Sequence, residues 1–185
     1  PQYAKNYRAL TGLKEGEVPS FGDNLYYFLT YQLGYMNMRY FLWNFAGRQN
    51  DYQGNSEPHK GNWISGFAPL DAMRLGPQNP QADYMKDNMA LNRYYLLPLI
   101  LGLIGLYFHF KRNDQDAYAT FLFFLITGVG ITLYTNNPPY EPRERDYALV
   151  TAFWTFGVWI GLGVMALYTW CEKRVKKQKT ALAVG

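Results

Sequence analysis

The polarity of the chain changes abruptly after Arg93. Beyond it lie three almost unbroken apolar runs, 94–110 (YYLLPLILGLIGLYFHF), 118–134 (YATFLFFLITGVGITLY) and 148–170 (ALVTAFWTFGVWIGLGVMALYTW). None contains Asp, Glu, Lys or Arg, and none shows the polar stripe at helical spacing that a water-facing helix carries. As helices, these runs of 17, 17 and 23 residues would reach roughly 25–35 Å, matching a bilayer core of about 30 Å. The pattern predicts an all-α integral membrane protein with three transmembrane helices. Buried helices of a large soluble protein are the other reading.

Residues 1–93 are patterned differently and hold 17 of the 32 Lys, Arg, Asp and Glu residues. A helix is predicted over about 21–45, with Ser20 and Asp23 as a capping pair at its start. Leu25, Phe28, Leu29, Gln32, Leu33, Met36, Tyr40 and Trp43 recur at three- and four-residue steps and predict its apolar face. The opposite side carries Tyr27, Tyr31, Gly34, Tyr35, Asn37 and Phe41 in place of charges. Tyrosine and tryptophan at this density suit the headgroup zone, so an amphipathic interfacial helix is expected, with a fourth span as the alternative. Residues 46–91 read as a polar loop, rich in Gly, Asn and Gln in its first part.

Charge supplies an orientation. The link 111–117 and the segment 172–179 together hold seven positive and three negative charges, against nine and eight in residues 1–93 and two and three in 135–147. Short basic segments at span ends mark the cytosolic side. Residues 1–93 and 135–147 are then periplasmic, 171–185 is a cytosolic basic tail leading towards a further span, and the chain belongs in a bacterial inner membrane as a multi-pass protein. Basic residues gathered at span ends do not form a nucleic-acid face. One cysteine, Cys171, gives no disulfide, and His59 and His109 give no metal-ligand spacing. No metal or cofactor is expected. With Pro1 first and TALAVG last, the chain reads as a piece of a longer membrane protein.

Two stretches carry candidate chemistry. Arg48 and Asp51, within RQND, follow the aromatic helix, and Trp63 comes soon after. An aromatic face with amides and a carboxylate suits a sugar, and the same residues equally suit a tight turn satisfying its own backbone. The loop TNNPPYEPRERDY, 135–147, holds Arg143, Glu144, Arg145 and Asp146 just before the third apolar run. Acidic groups there favour a helix start and ion pairing. Alternatively, Arg143 and Arg145 present guanidinium forks to a lipid phosphate.

The strings YFLWNFAGRQNDYQG (40–54), GNWISG (61–66), MRLGPQ (73–78), NRYYLLPLILGLIGL (92–106) and NNPPYEPRERDYA (136–148) resemble the Bacteroidetes membrane proteins of domain-of-unknown-function family 2723. That family is similar to protein O-mannosyltransferases and is placed in glycosyltransferase family 117. The resemblance covers nearly the whole chain. It implies part of a C-type fold that transfers a sugar from a polyprenyl-phosphate donor to an extracytoplasmic, commonly protein, acceptor. The family's N-terminal carboxylate motif, resembling FWDCGEF, is absent here, so this chain alone is not expected to catalyse. Its expected contribution is a wall of the site: Arg48 and Asp51 match RQND, and Arg143, Glu144, Arg145 and Asp146 match PRERD.

A non-catalytic membrane scaffold that docks a partner is the alternative. A transporter fits less well, because the three runs lack charged side chains at membrane depth. Gly102, Gly105, Gly128, Gly130, Gly157, Gly161 and Gly163 predict close helix packing.

Overall fold

The computed structural model describes residues 2–52, 54, 57–77, 88–140 and 146–184, with 146 and 176–184 as backbone only. Helix α1 is Gln2–Thr11. One continuous helix follows in three stretches: α2 (Phe21–Tyr27), the π-helical π1 (Phe28–Met38) and α3 (Arg39–Phe45). Then come β1 (Gly47–Arg48), α4 (Ala68–Leu75), β2 (Asn92–Arg93) and α5 (Leu97–Arg112). A second composite helix comprises α6 (Asp114–Leu125), π2 (Ile126–Gly130) and α7 (Ile131–Thr135), and α8 is Asp146–Val184. The strands form one antiparallel ladder, Gly47 opposite Arg93 and Arg48 opposite Asn92.

Two helices have the length and composition of membrane spans, Asp114–Thr135 with 22 residues and Tyr147–Val175 with 29. Within the molecule only 17% of the first apolar window and 33% of the second is buried. Leu122, Ile126, Leu133, Trp154, Val158 and Met165 face outwards. Water penalises such a surface, whereas lipid does not.

The remaining expected span, 94–110, becomes α5, which has 16 residues and extends only about 24 Å. Tyr95 and Leu96 adopt left-handed φ of 52° and 60°, which ends the irregular lead-in one residue before Pro98. The loop expected over 46–91 also contains α4, where Pro69 occupies the first turn and suits a helix start. At the other end, α8 runs 39 residues, well past 170.

Glycine lets α5 press onto α8. A methyl group at Gly105 would overlap the Trp159 carbonyl oxygen, one at Gly163 the Leu101 carbonyl oxygen, and one at Gly102 the Phe156 ring. Around this contact Phe45, Phe156 and Trp159 form a buried cluster with Phe41, Phe124 and Phe153 packed on it. Gly128 makes ordinary contact with the Ala152 methyl, while Gly157 and Gly161 face open space; the expected close packing holds for only part of the set. α6 runs antiparallel to α8, as the Phe124–Trp159 ring pair (5.3 Å) and the Gly128–Ala152 contact require. Lys111 and Arg112 therefore share one end of the molecule with Lys173 and Arg174.

The helix Phe21–Phe45 is laid lengthwise along the first span, antiparallel to it. Its partners descend in order: Gln32 Nε2 donates to Asn136 Oδ1 (2.9 Å), Asn37 Nδ2 to Thr132 Oγ1 (2.6 Å), and the Phe41 ring meets Phe124 at 6.1 Å. Its buried face shares Gln32, Met36 and Trp43 with the expected one and differs from it elsewhere. Leu25 and Leu29 are 45% and 50% exposed, whereas Tyr27, Tyr31, Gln32, Met36, Arg39 and Trp43 are buried. The π-helical stretch explains the change of face. In an α-helix each four-residue step overshoots a turn by about 40°, so residues 27, 31, 35, 39 and 43 would wind around the rod. The wider π turn rotates less per residue, and mixing the two keeps the row straight. Consecutive rings stack accordingly, Tyr27 on Tyr31 at 5.3 Å and Tyr31 on Tyr35 at 5.7 Å.

The glycine contact is testable by paired variants. Gly105→Val should force α5 off α8 and destabilise the protein by about 1–3 kcal/mol, seen as a lower unfolding midpoint in detergent. Gly161→Ala, which meets open space, should be neutral or stabilising by up to about 1 kcal/mol.

Candidate functional site

Residues 47–74 form a self-satisfied knot against the end of the long helix. Arg39, 4% exposed, lies 4.3 Å from the Tyr35 ring centre and 4.6 Å from that of Trp43. Its Nη1 donates to the Gly61 carbonyl at 2.8 Å. Gln49 Nε2 donates to Pro58 O (3.1 Å), Asn50 Nδ2 to His59 O (3.0 Å), and the Gly61 amide to Asn50 Oδ1 (2.7 Å). Asn62 Nδ2 donates to Glu57 O at 2.7 Å. Buried Asp71 takes the Ser65 and Gly66 amides at 2.7 and 3.0 Å, so α4 holds the end of the GNWISG segment in place.

The sequence candidates within this knot are divided among separate partners. Arg48 Nε donates to Ala90 O at 3.0 Å, with its guanidinium 5.6 Å from the Trp43 ring centre. Asp51 accepts from Asn88 Nδ2 at 3.0 Å. Trp63 is bridged to Arg48 through the backbone, but its ring stacks under Arg74 at 4.1 Å. Burial lowers the Arg74 pKa and nearby Asp71 raises it, the burial effect being larger. Each of the three thus has a partner of its own within the chain. Arg143, Glu144 and Arg145 lie outside the described residues, and Asp146 enters only as the first residue of α8.

A second locus lies at the opposite end of the first span from Lys111 and Arg112, where the chain leaves α7 through Asn136-Asn137-Pro138-Pro139-Tyr140. Three side chains of the long helix clamp this turn. Tyr27 Oη donates to Asn137 O at 2.8 Å, and Gln32 Nε2 donates to the same oxygen at 2.9 Å. The Tyr140 amide donates to Tyr31 Oη at 2.7 Å. Asn136 and Tyr140 hold left-handed φ of 43° and 56°, a conformation that surrounding bonds must impose on non-glycine residues.

Between this turn, α1 and α2 lies a cleft of about 620 Å³, its walls including Tyr3, Tyr7, Asn24, Tyr27, Gln32 and Asn136. Tyr7 Oη donates to Asn24 Oδ1 at 2.8 Å. Burial, and secondarily Asp23, pushes the Tyr7 pKa up. Among the described residues the cleft wall carries no carboxylate, imidazole, amine or guanidinium. Those residues can bind and orient, and none of them is a general base. Among the described residues no three metal-ligating side chains cluster.

The clamp residues escaped the sequence reading, although the four-residue tyrosine spacing was visible there. Comparison of the sequence with family models, with curated proteins and with solved structures returns no match in any of the three.

Tyr31→Phe removes the oxygen that receives the Tyr140 amide. The expected cost is about 1–2 kcal/mol, confined to the turn. Amide exchange in lipid nanodiscs should speed up at Tyr140 while Leu122 and Phe156 remain protected.

Proposed function

We propose that this chain is part of a multi-span, family 2723-like membrane glycosyltransferase. It would form the outer wall of a site that passes a sugar from a polyprenyl-phosphate donor to an extracytoplasmic protein acceptor. The observation that carries the reading is the clamp of Tyr27, Tyr31 and Gln32 on the turn Asn136–Tyr140. It fixes, at one end of the apolar helices, the loop whose next residues in the chain are the PRERD arginines.

The two basic segments lie at the other end of the molecule, which supports an orientation with the turn on the periplasmic side of a bacterial inner membrane. Transfer from a phosphate-linked donor needs a base to activate the acceptor and cations to stabilise the departing phosphate. In this reading Arg143 and Arg145 supply the cations, and the base comes from outside this chain. Arg48, tied to Ala90 O and stacked near Trp43, is part of the supporting wall.

The test replaces both arginines, Arg143→Ala with Arg145→Ala, in the full-length membrane protein. Transfer from a polyprenyl-phosphate sugar should fall about a hundredfold or more, with membrane insertion and unfolding midpoint retained. Undiminished transfer would remove the phosphate-clamp reading. A wild-type protein that transfers nothing, yet still captures its partner, would favour the scaffold.

A further inference from the structure

We propose that the cleft between α1, α2 and the Asn136–Pro139 turn is a binding site for a neutral pyranose ring. The inference deepens the transfer reading and rests on it for the carrier of that sugar, while the cleft chemistry stands by itself.

At about 620 Å³ the cleft falls within the roughly 300–1,000 Å³ of small-molecule sites. Its composition narrows the ligand. Among the described residues no charged side chain lines it, so a phosphate or carboxylate would find no counter-charge among them. A hydrocarbon would strand the amides of Asn24, Gln32 and Asn136. A pyranose satisfies both kinds of wall, because its C–H face stacks on tyrosine while its hydroxyls donate to and accept from amides.

The amides are placed with acceptor and donor capacity to spare. Gln32 is 2% exposed, and both of its hydrogen bonds, to Asn136 Oδ1 and Asn137 O, leave from Nε2. Its Oε1 takes no hydrogen bond among the described residues. Asn136 spends its Oδ1 on Gln32 and keeps its Nδ2 for a ligand.

The walls are also braced in advance. Tyr7 bonds to Asn24, Asn24 Nδ2 bonds to Ser20 O at 3.1 Å, and Tyr27 bonds to Asn137 O. Rings and amides held by their own bonds lose little freedom when a ligand arrives, which is what weak carbohydrate contacts need.

The experiment is saturation-transfer NMR on the full-length protein in nanodiscs, using methyl hexopyranosides, with inorganic phosphate as competitor. Saturation should reach the sugar ring protons, and phosphate should not displace the sugar. Asn136→Gly tolerates the left-handed φ and removes one amide. Tyr3→Ala removes a ring that is 59% exposed, so the fold is not at stake. Each should weaken binding about tenfold. No saturation with any hexopyranoside, equal affinity in both variants, or displacement by phosphate would each overturn the proposal. Sugar binding without transfer would refute the transferase reading alone, and transfer by a protein that binds no hexopyranoside would refute this inference alone.

Discussion

The row Tyr27, Tyr31, Tyr35, Arg39 and Trp43 advances by four residues at every step, and only a helix wound more loosely than α can keep such a row on one side. The π-helical stretch Phe28–Met38 provides that looser winding. Both ends of the described site hang from it. Near its start, Tyr27, Tyr31 and Gln32 hold the Asn136–Tyr140 turn. Near its finish, Arg39 lies between Tyr35 and Trp43 and ties the Gly61 carbonyl to the same rod. Loops far apart in sequence are thereby set at fixed separation along one helix.

The apolar helices obey a separate constraint. In lipid, the tendency of apolar side chains to avoid water no longer drives helices together, so shape and close approach must do so. Gly102, Gly105 and Gly163 meet that need by bringing the α5 backbone against α8. Phenylalanine does the same around Phe156, where rings of Phe41, Phe45 and Phe124 pack at 4.8, 4.6 and 6.3 Å.

Helix content and two candidate spans were legible because long runs without charged side chains stand out in the sequence, and their uncovered faces agree with that reading. The Ser20–Asp23 capping box was equally legible, since it is local: Ser20 Oγ receives the Asp23 amide, and Asp23 Oδ2 receives the Ser20 amide at 2.8 Å. The face of the long helix was not. Counting at three and four residues assumes an α-helix, and a π turn shifts the phase until tyrosines stand where leucines were expected. The end of α5 was obscured by left-handed Tyr95 and Leu96, which no propensity anticipates. For Arg48, Asp51 and Trp63 composition suited either a ligand or a turn, and their partners at Ala90, Asn88 and Arg74 could not be read from it. The cleft itself joins residues 3–32 to residues 133–139, a pairing that depends on tertiary structure alone.

Helix α8 has 39 residues, or about 58 Å of continuous rod, nearly twice the hydrocarbon thickness of a bilayer. If it crosses a bilayer, some of it stands clear of the lipid. The α5 glycines grip this rod between Phe156 and Gly163, which leaves a long arm on its C-terminal side. A tilt of a few degrees at that grip would swing its far tip by several ångströms, whereas a flexible linker would absorb the motion.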